Sequence, residues 1–170
     1  MPHNPNRRSF LKGGFNSSVE MRPFGALPDS VFFDTCARCG DCGPACPESI
    51  IEFDSDGFPK VDFKAGKCTF CGECIDVCEP EALRRDQDWA WKASVESGCL
   101  SLNSVQCRTC QDFCDHGAIR FQLRTGGRAQ PVLDADLCTG CGGCAASCPV
   151  DAISFEHPPQ KPTQQMETCA

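Results

Sequence analysis

The chain has 170 residues, of which 17 are cysteine, and it contains no Tyr and only two Trp. Hydrophobic residues make up 41% and cysteine is counted among them, so cysteine chemistry must organise the chain more than an ordinary apolar core does. The formal net charge of −7 argues against a nucleic-acid-binding protein, because such a protein needs a basic surface. No apolar run approaches the roughly 18 residues of a membrane-spanning helix, so we expect a soluble protein.

Residues 1–30 are predicted to be an N-terminal extension. It carries Arg7-Arg8-Ser9-Phe10-Leu11-Lys12, which is similar to the twin-arginine export motif. A working export signal also needs an apolar segment of about 7–15 residues, and the residues that follow are interrupted by Glu20 and Arg22. We therefore expect a cytoplasmic protein whose motif is a vestige or a docking peptide, with real export as the alternative.

Sixteen of the cysteines form four groups, and three groups read C-x2-C-x2-C-x3-C, the spacing of bacterial iron–sulfur proteins. Thiolates at every third position can bind three irons at one corner of a cubane cluster, and the fourth cysteine usually binds the other cluster of a two-cluster unit. Glycines between the cysteines let backbone N–H groups approach the sulfides. We predict four [4Fe-4S] clusters bound by Cys36, Cys39, Cys42, Cys46, Cys68, Cys71, Cys74, Cys78, Cys99, Cys107, Cys110, Cys114, Cys138, Cys141, Cys144 and Cys148.

The third group departs from this spacing. Ser104 stands where its first cysteine is expected, and the nearest cysteine upstream is Cys99. An insertion that bulges out as residues 100–106 would still let Cys99 reach its cluster. The alternative is a three-iron cluster with Cys99 unused.

Two other uses of cysteine fit less well. Disulfides are typical of secreted proteins with paired cysteines, but the total here is odd and no secretory signal is evident. Structural zinc sites use separated pairs of ligands for a tetrahedron, whereas each group here offers three closely spaced cysteines in one loop, which does not match that pairing. Iron–sulfur binding is the reading that the spacing favours.

A short apolar stretch follows each group, so the chain contains a duplicated unit. We predict an α+β fold of two tandem bacterial 2[4Fe-4S] ferredoxin-like modules with short hairpins and helical turns, at residues 31–85 and 96–157. Each hairpin lies between two cysteine groups and bends at Asp56-Gly57 or at Gly126-Gly127. Without metal, modules of this size bury too little apolar surface to fold.

The remaining segments are assigned no chemistry. Residues 86–95 are predicted to be a linker with a short helix, and Trp89 and Trp91 within it are expected to serve packing. His116 is expected to be an exposed turn residue rather than a ligand. The tail 158–170 is predicted to be disordered because prolines and polar residues dominate it, which leaves Cys169 as a spare thiol.

The chain resembles the NapF ferredoxin-type family, which is encoded with the periplasmic nitrate reductase system. The resemblance covers nearly the whole length. It rests on the arginine motif without an apolar segment, the four cysteine groups, the enlarged loop from Cys99 to Cys107, and the segments Val105–Cys114 and Cys138–Pro149. The enlarged loop is the most specific of these features.

The resemblance implies a cytoplasmic iron–sulfur protein that contacts the catalytic subunit of periplasmic nitrate reductase before export and assists its maturation by supplying electrons. Other redox proteins would be further partners. The alternative is a permanent electron-transfer subunit of a membrane-linked oxidoreductase. We expect no enzymatic activity, because an iron with four sulfur ligands has no open position for a substrate.

Overall fold

A computed structural model of the protein describes residues 20–157. The twin-arginine-like motif, the tail and Cys169 lie outside these residues. The helices within them are α1 (Asp29–Thr35), α2 (Cys42–Ala45), α3 (Glu73–Asp76), α4 (Thr109–Asp112) and α5 (Gly143–Ala146). The strands are β1 (Ile51–Phe53), β2 (Pro59–Val61), β3 (Lys92–Val95), β4 (Ile119–Arg124), β5 (Arg128–Leu133) and β6 (Ile153–Glu156). None of these helices is long and apolar enough to cross a membrane.

The strands form three antiparallel pairs. β1 pairs with β2, β4 pairs with β5, and β3 pairs with β6. The first two pairs are the hairpins expected between the cysteine groups, and their bends have positive φ at Gly57 (84°), Gly126 (85°) and Gly127 (75°), a conformation that glycine adopts without strain. The predicted hairpins are therefore confirmed, and mixed short helices and strands agree with the expected α+β class.

The short helix predicted within residues 86–95 is wrong. Lys92–Val95 form strand β3, in register with β6 from Lys92 opposite Glu156 to Val95 opposite Ile153. Pairing with a strand some sixty residues later satisfies the backbone donors and acceptors that a helix would satisfy locally. It also buries Ala93 at 5% exposure, so tertiary contacts decide the structure of this segment.

The two ends of the first half meet in a similar way. Ala26 and Leu83 form an isolated antiparallel bridge, and the N–H of Leu27 donates to the carbonyl of Ala82 at 3.0 Å. The N–H of Val61 also donates to the carbonyl of Met21 at 2.8 Å. Residues that precede the first cysteine group thus pack onto the sheet of the first half.

Arg22 anchors this segment. Its guanidinium lies within 6 Å of the ring centroids of Phe32, Phe33 and Phe58, at 5.7, 5.1 and 5.9 Å respectively, as in cation–π contacts. One of its nitrogens donates to Asp54 at 3.1 Å and to the carbonyl of Pro59 at 3.0 Å. Burial opposes ionisation of Asp54, but the Phe58 N–H and the Arg22 guanidinium outweigh it and lower the pKa of the carboxyl.

The two halves meet in one apolar cluster. Ile50 and Phe63 come from the first half, Trp91 from the segment that joins the halves, and the half-buried Phe155 from the second half. The rings of Phe63 and Phe155 lie 4.9 Å apart. The halves therefore share a core between them.

We expect Arg22→Met to destabilise the protein, because the substitution leaves the Asp54 carboxylate partly buried without its cation. Loss of one partner of a largely buried pair should lower the free energy of unfolding by roughly 2–4 kcal/mol. The measurement is the urea concentration at which the cluster-bound protein loses its visible absorbance under anaerobic conditions. Lys64→Met is the matched control, since it removes the exposed ion pair with Asp62; equal midpoints for the two variants would contradict the role given to Arg22.

Candidate metal centres

Three cysteine loops share one backbone shape around their middle cysteine. The residue after that cysteine has a positive φ, 89° at Gly40, 83° at Gly72 and 87° at Gly142. The residue before it is also left-handed, at Arg38 (56°), Phe70 (57°) and Gly140 (73°). Two left-handed residues flanking one cysteine curl the loop, so that its three thiols point to one side.

The third cysteine of every group lies on a one-turn helix. Cys42, Cys74 and Cys144 lie on α2, α3 and α5 and are buried, with 9%, 9% and 7% of their surface exposed. Cys110 occupies the same place on α4 and is half-buried. These helices therefore carry the innermost ligand of each loop.

A repeated turn carries the fourth cysteine away from its own loop. The third residue after it has positive φ in all four groups, at Ser49 (54°), Glu81 (59°), Gly117 (62°) and Asp151 (49°). The residue that follows each turn is buried, at 3% for Ile50, 1% for Ala82, 2% for Ala118 and 3% for Ala152. This buried residue fixes the start of the next apolar stretch, and with it the fourth cysteine.

Each fourth cysteine lies with the three cysteines of the other group in its half. We name the resulting sets sites I to IV. Three of them line separate cavities, and neighbouring thiols identify the remaining one around Cys110. The sets are site I (Cys36, Cys39, Cys42, Cys78), site II (Cys46, Cys68, Cys71, Cys74), site III (Cys99, Cys107, Cys110, Cys148) and site IV (Cys114, Cys138, Cys141, Cys144).

Site III includes Cys99 despite the enlarged loop. Residues 100–104 form turns, with Leu102 and Val105 at 37% and 51% exposure. The Asn103 side chain donates to the carbonyls of Ser97 and Cys99 at 2.7 and 2.9 Å, and the buried Ser101 hydroxyl donates to the carbonyl of Ala129. The inserted residues thus project outward on a hydrogen-bonded turn while Cys99 stays beside Cys110.

The buried thiols are hard to ionise. Burial, reinforced by neighbouring cysteines, raises the pKa of Cys42, Cys68 and Cys110 to about 11 and that of Cys74 and Cys144 to about 12. Four thiolates in one apolar place need a positively charged group among them. Metal binding must therefore displace protons from these thiols, so the affinity for metal falls as the pH falls.

The surroundings of the thiols fit iron–sulfur clusters. The cavity of site II is lined by apolar residues such as Pro23, Ile50 and Val61 as well as by its cysteines. Backbone N–H groups point at ligand sulfurs elsewhere: Ala93 N–H lies 3.5 Å from Cys138 Sγ and Ala152 N–H lies 3.3 Å from Cys148 Sγ. Soft thiol donors, an apolar shell and N–H···S contacts are the environment by which proteins hold and tune such clusters.

The cysteines surround cavities rather than a single point. Within residues 20–157, no group of three or more Cys, His, Asp or Glu side chains has the arrangement of ligands to one metal ion. At sites I, II and IV, four cysteines line a cavity together with apolar residues.

Neighbouring residues lie largely as expected. His116 is an exposed turn residue, and it also borders the cavity of site IV. Trp91 is 8% exposed and packs in the apolar cluster between the halves, and the Trp89 indole donates to the carbonyl of Gly140 at 3.3 Å. Both tryptophans therefore serve packing in this structure.

Sequence reasoning did not anticipate the contacts between sites II and IV. The N–H of Cys68 donates to the carbonyl of Cys141 at 2.7 Å. The ammonium of Lys67 pairs with Asp115, which follows the site IV residue Cys114. No local pattern announces a pairing between residues 48 positions apart, so the sequence offers no signal for it.

Comparisons with known proteins agree with the two-unit arrangement. The family model described as a 4Fe-4S dicluster domain matches residues 35–82 and again residues 105–152. Each matched range contains one complete pair of sites except Cys99, which precedes the second range.

Several curated proteins are similar over most of the chain. The ferredoxin-type protein NapF of Haemophilus influenzae is 43% identical over 162 residues, covering 88% of this chain and 92% of that protein. The ferredoxin-type protein NapF of Escherichia coli K12 is 40% identical over 155 residues, covering 89% and 94%. The ferredoxin-type protein NapG of the same strain is 30% identical over 155 residues, covering 78% and 67%.

Gly142, which has a positive φ, should be essential for the binding of iron at site IV. A Cβ there would fall inside the ring of Phe63, whereas a Cβ on Gly126, at nearly the same φ, would meet nothing within 4 Å. Both alanine variants carry a strain of about 1–2 kcal/mol, but only Gly142→Ala also pushes the halves apart. We expect Gly142→Ala to retain clearly less iron than Gly126→Ala after anaerobic reconstitution; equal retention would mean that the contact with Phe63 does not constrain the loop.

Proposed function

The chain belongs to the family of ferredoxin-type NapF proteins, and from this premise we propose that it is an electron carrier that binds four [4Fe-4S] clusters and serves the periplasmic nitrate reductase system. The family assignment rests on matched dicluster regions and on relatives of 40–43% identity. The number of clusters, the ligands and the partner are the proposed part.

One observation carries the proposal: in both halves, three cysteines from one loop meet the fourth cysteine of the other loop. This exchange is how a two-cluster ferredoxin distributes its ligands. It supports ligation by the sixteen cysteines of sites I to IV, including Cys99, and so favours a four-iron cluster over a three-iron cluster at site III.

When bound, such a cluster supplies one-electron transfer without a bond to a substrate. The chain's part is to supply four thiolates to each site, to direct N–H groups at sulfurs such as those of Cys138 and Cys148, and to exclude water with apolar residues. No ligand position is left for a substrate if all four cysteines bind, which is why we propose a carrier rather than an enzyme.

The proposed partner is the catalytic subunit of periplasmic nitrate reductase, contacted in the cytoplasm before export. The support is the family membership and the net charge of −7. Clusters with four thiolates add further negative charge, so a partner should present a positive surface and its binding should weaken with salt.

Three cysteine variants test the ligand assignment. Cys71→Ser and Cys99→Ser should each lose about a quarter of the iron and acid-labile sulfide and of the visible absorbance, since each removes one ligand of one of four sites. Cys169→Ser removes the cysteine that belongs to none of the four sequence groups and should lose none. Iron and sulfide are measured on chains purified anaerobically in parallel.

Each departure from that pattern has a definite meaning. Unchanged iron in Cys99→Ser would replace the assignment at site III with a three-iron cluster or another ligand. A large loss in Cys169→Ser would bring the tail into a site. Zinc without acid-labile sulfide in the unaltered chain would overturn the iron–sulfur proposal itself.

An anaerobic pull-down of the tagged chain from a cytoplasmic extract tests the partner. We expect recovery of a nitrate reductase catalytic subunit that still bears its export signal, with less recovered at high salt. Recovery of a quinol or formate dehydrogenase in fixed ratio, retained with membranes, would instead make the chain a permanent electron-transfer subunit and would overturn the maturation role.

A further inference from the structure

The loops of sites II and IV are in direct backbone contact. Cys68, a residue of site II, donates its N–H to the carbonyl of Cys141, a residue of site IV, at 2.7 Å. These cysteines come from different halves of the molecule, yet one hydrogen bond links their peptide groups directly.

The contacts within each half connect the remaining sites. Cys42 of site I and Cys74 of site II belong to one buried cluster, on helices α2 and α3, which pack against each other. Cys144 of site IV and Cys110 of site III pack together in another cluster, on the paired helices α5 and α4. Contacts therefore run from site I to II, from II to IV and from IV to III.

We propose that sites II and IV form an electron-transfer junction between the halves, so that the four sites conduct in the order I, II, IV, III, and that Lys67 is the positioning residue of this junction. The inference rests on the proposed function, since it requires clusters at the sites. It adds the order in which an electron passes through the four sites, which neither the cysteine spacing nor the duplicated unit specifies.

Lys67 links the two loops from one side. It immediately precedes Cys68, and its ammonium pairs with Asp115, which immediately follows Cys114 of site IV. Its aliphatic stem lies against α5, where a Cβ on Gly143 would come within 3.3 Å of the Lys67 side chain. A positive charge beside both loops offsets the repulsion that the approach of two anionic sites creates.

Phe63 closes the other side of the junction. Its ring lies against Gly142, the residue that follows Cys141 and can approach so closely because it has no Cβ. The ring also packs against Phe155 at 4.9 Å. An apolar wall and a partly exposed ion pair thus hold the two loops in register.

The step at the junction moves one electron. An external one-electron reductant supplies it, the site on the donor side is oxidised by one electron, and the site on the acceptor side is reduced by one. No covalent bond forms or breaks, and no proton transfer is required.

The first test keeps only the two junction sites. The full chain with Cys39→Ser and Cys107→Ser, which alter sites I and III, is reconstituted anaerobically, reduced with dithionite and measured by electron paramagnetic resonance. We expect about half of the iron and sulfide of the unaltered chain, and signals of the two remaining sites that are broadened by mutual spin–spin interaction. Two independent narrow signals would overturn the junction.

The iron analysis separates the two levels of the proposal. An unaltered chain without iron and acid-labile sulfide refutes the proposed function. An unaltered chain with a full complement, combined with independent signals in the double variant, refutes the junction alone. If the double variant retains no iron, the following measurement on the intact chain decides.

Lys67→Gln tests the junction without removing a ligand. Loss of the positive charge should make both junction sites harder to reduce and so lower the midpoint potentials of two of the four sites. It should also reduce the spin–spin broadening of the signals from these two sites. Lys67→Arg should restore both properties. Lys64→Gln removes another lysine charge, more exposed than that of Lys67, that pairs with Asp62 at 3.2 Å, and it should shift neither; a shift of only one midpoint, or of none, in Lys67→Gln would overturn the role of Lys67.

Discussion

The burial of ionisable thiols is the constraint on which the rest of the structure depends. Cys74 and Cys144 lie so deep that burial and neighbouring cysteines raise their pKa to about 12. A chain of this composition has little other apolar material for a core, and its largest fully buried side chains are Phe32, Ile119 and Pro23. In the proposed cluster-bound protein, binding and folding are coupled, because buried thiolates are stable only around a cationic centre.

Features that arise from neighbouring residues could be predicted from the sequence. The Asp56-Gly57 and Gly126-Gly127 bends define the hairpins, since glycine there adopts the positive φ that a tight turn requires. The spacing of the cysteines predicted the triplet loops, and the known exchange of fourth cysteines predicted which loops cooperate. The outward bulge after Cys99 could also be predicted from the number of residues between the cysteines. When both ends of a loop are fixed, inserted residues have to protrude into solvent.

Features that arise from distant residues could not be predicted in this way. Residues 92–95 have no strong strand pattern, and only pairing with β6 makes them a strand. Arg22 looked like an interruption in an export signal, whereas three phenylalanines and Asp54 hold it. Asp54 lies 32 positions from Arg22, and β6 follows β3 by some sixty positions; a single sequence carries no signal for such pairings.

The junction between the halves shows how a duplicated unit can assemble in one way only. Equivalent loops meet there, since Cys68 and Cys141 both belong to the second triplet of their half. Their neighbours are nevertheless different: Leu137 stands where the first half has Lys67, and Pro47 stands where the second half has Asp115. The Lys67–Asp115 ion pair therefore has no equivalent in which the two halves exchange roles. The backbone contact is one-sided as well, since the N–H of Cys68 donates to the carbonyl of Cys141, whereas the N–H of the equivalent Cys138 donates to the carbonyl of Asp134 within its own half.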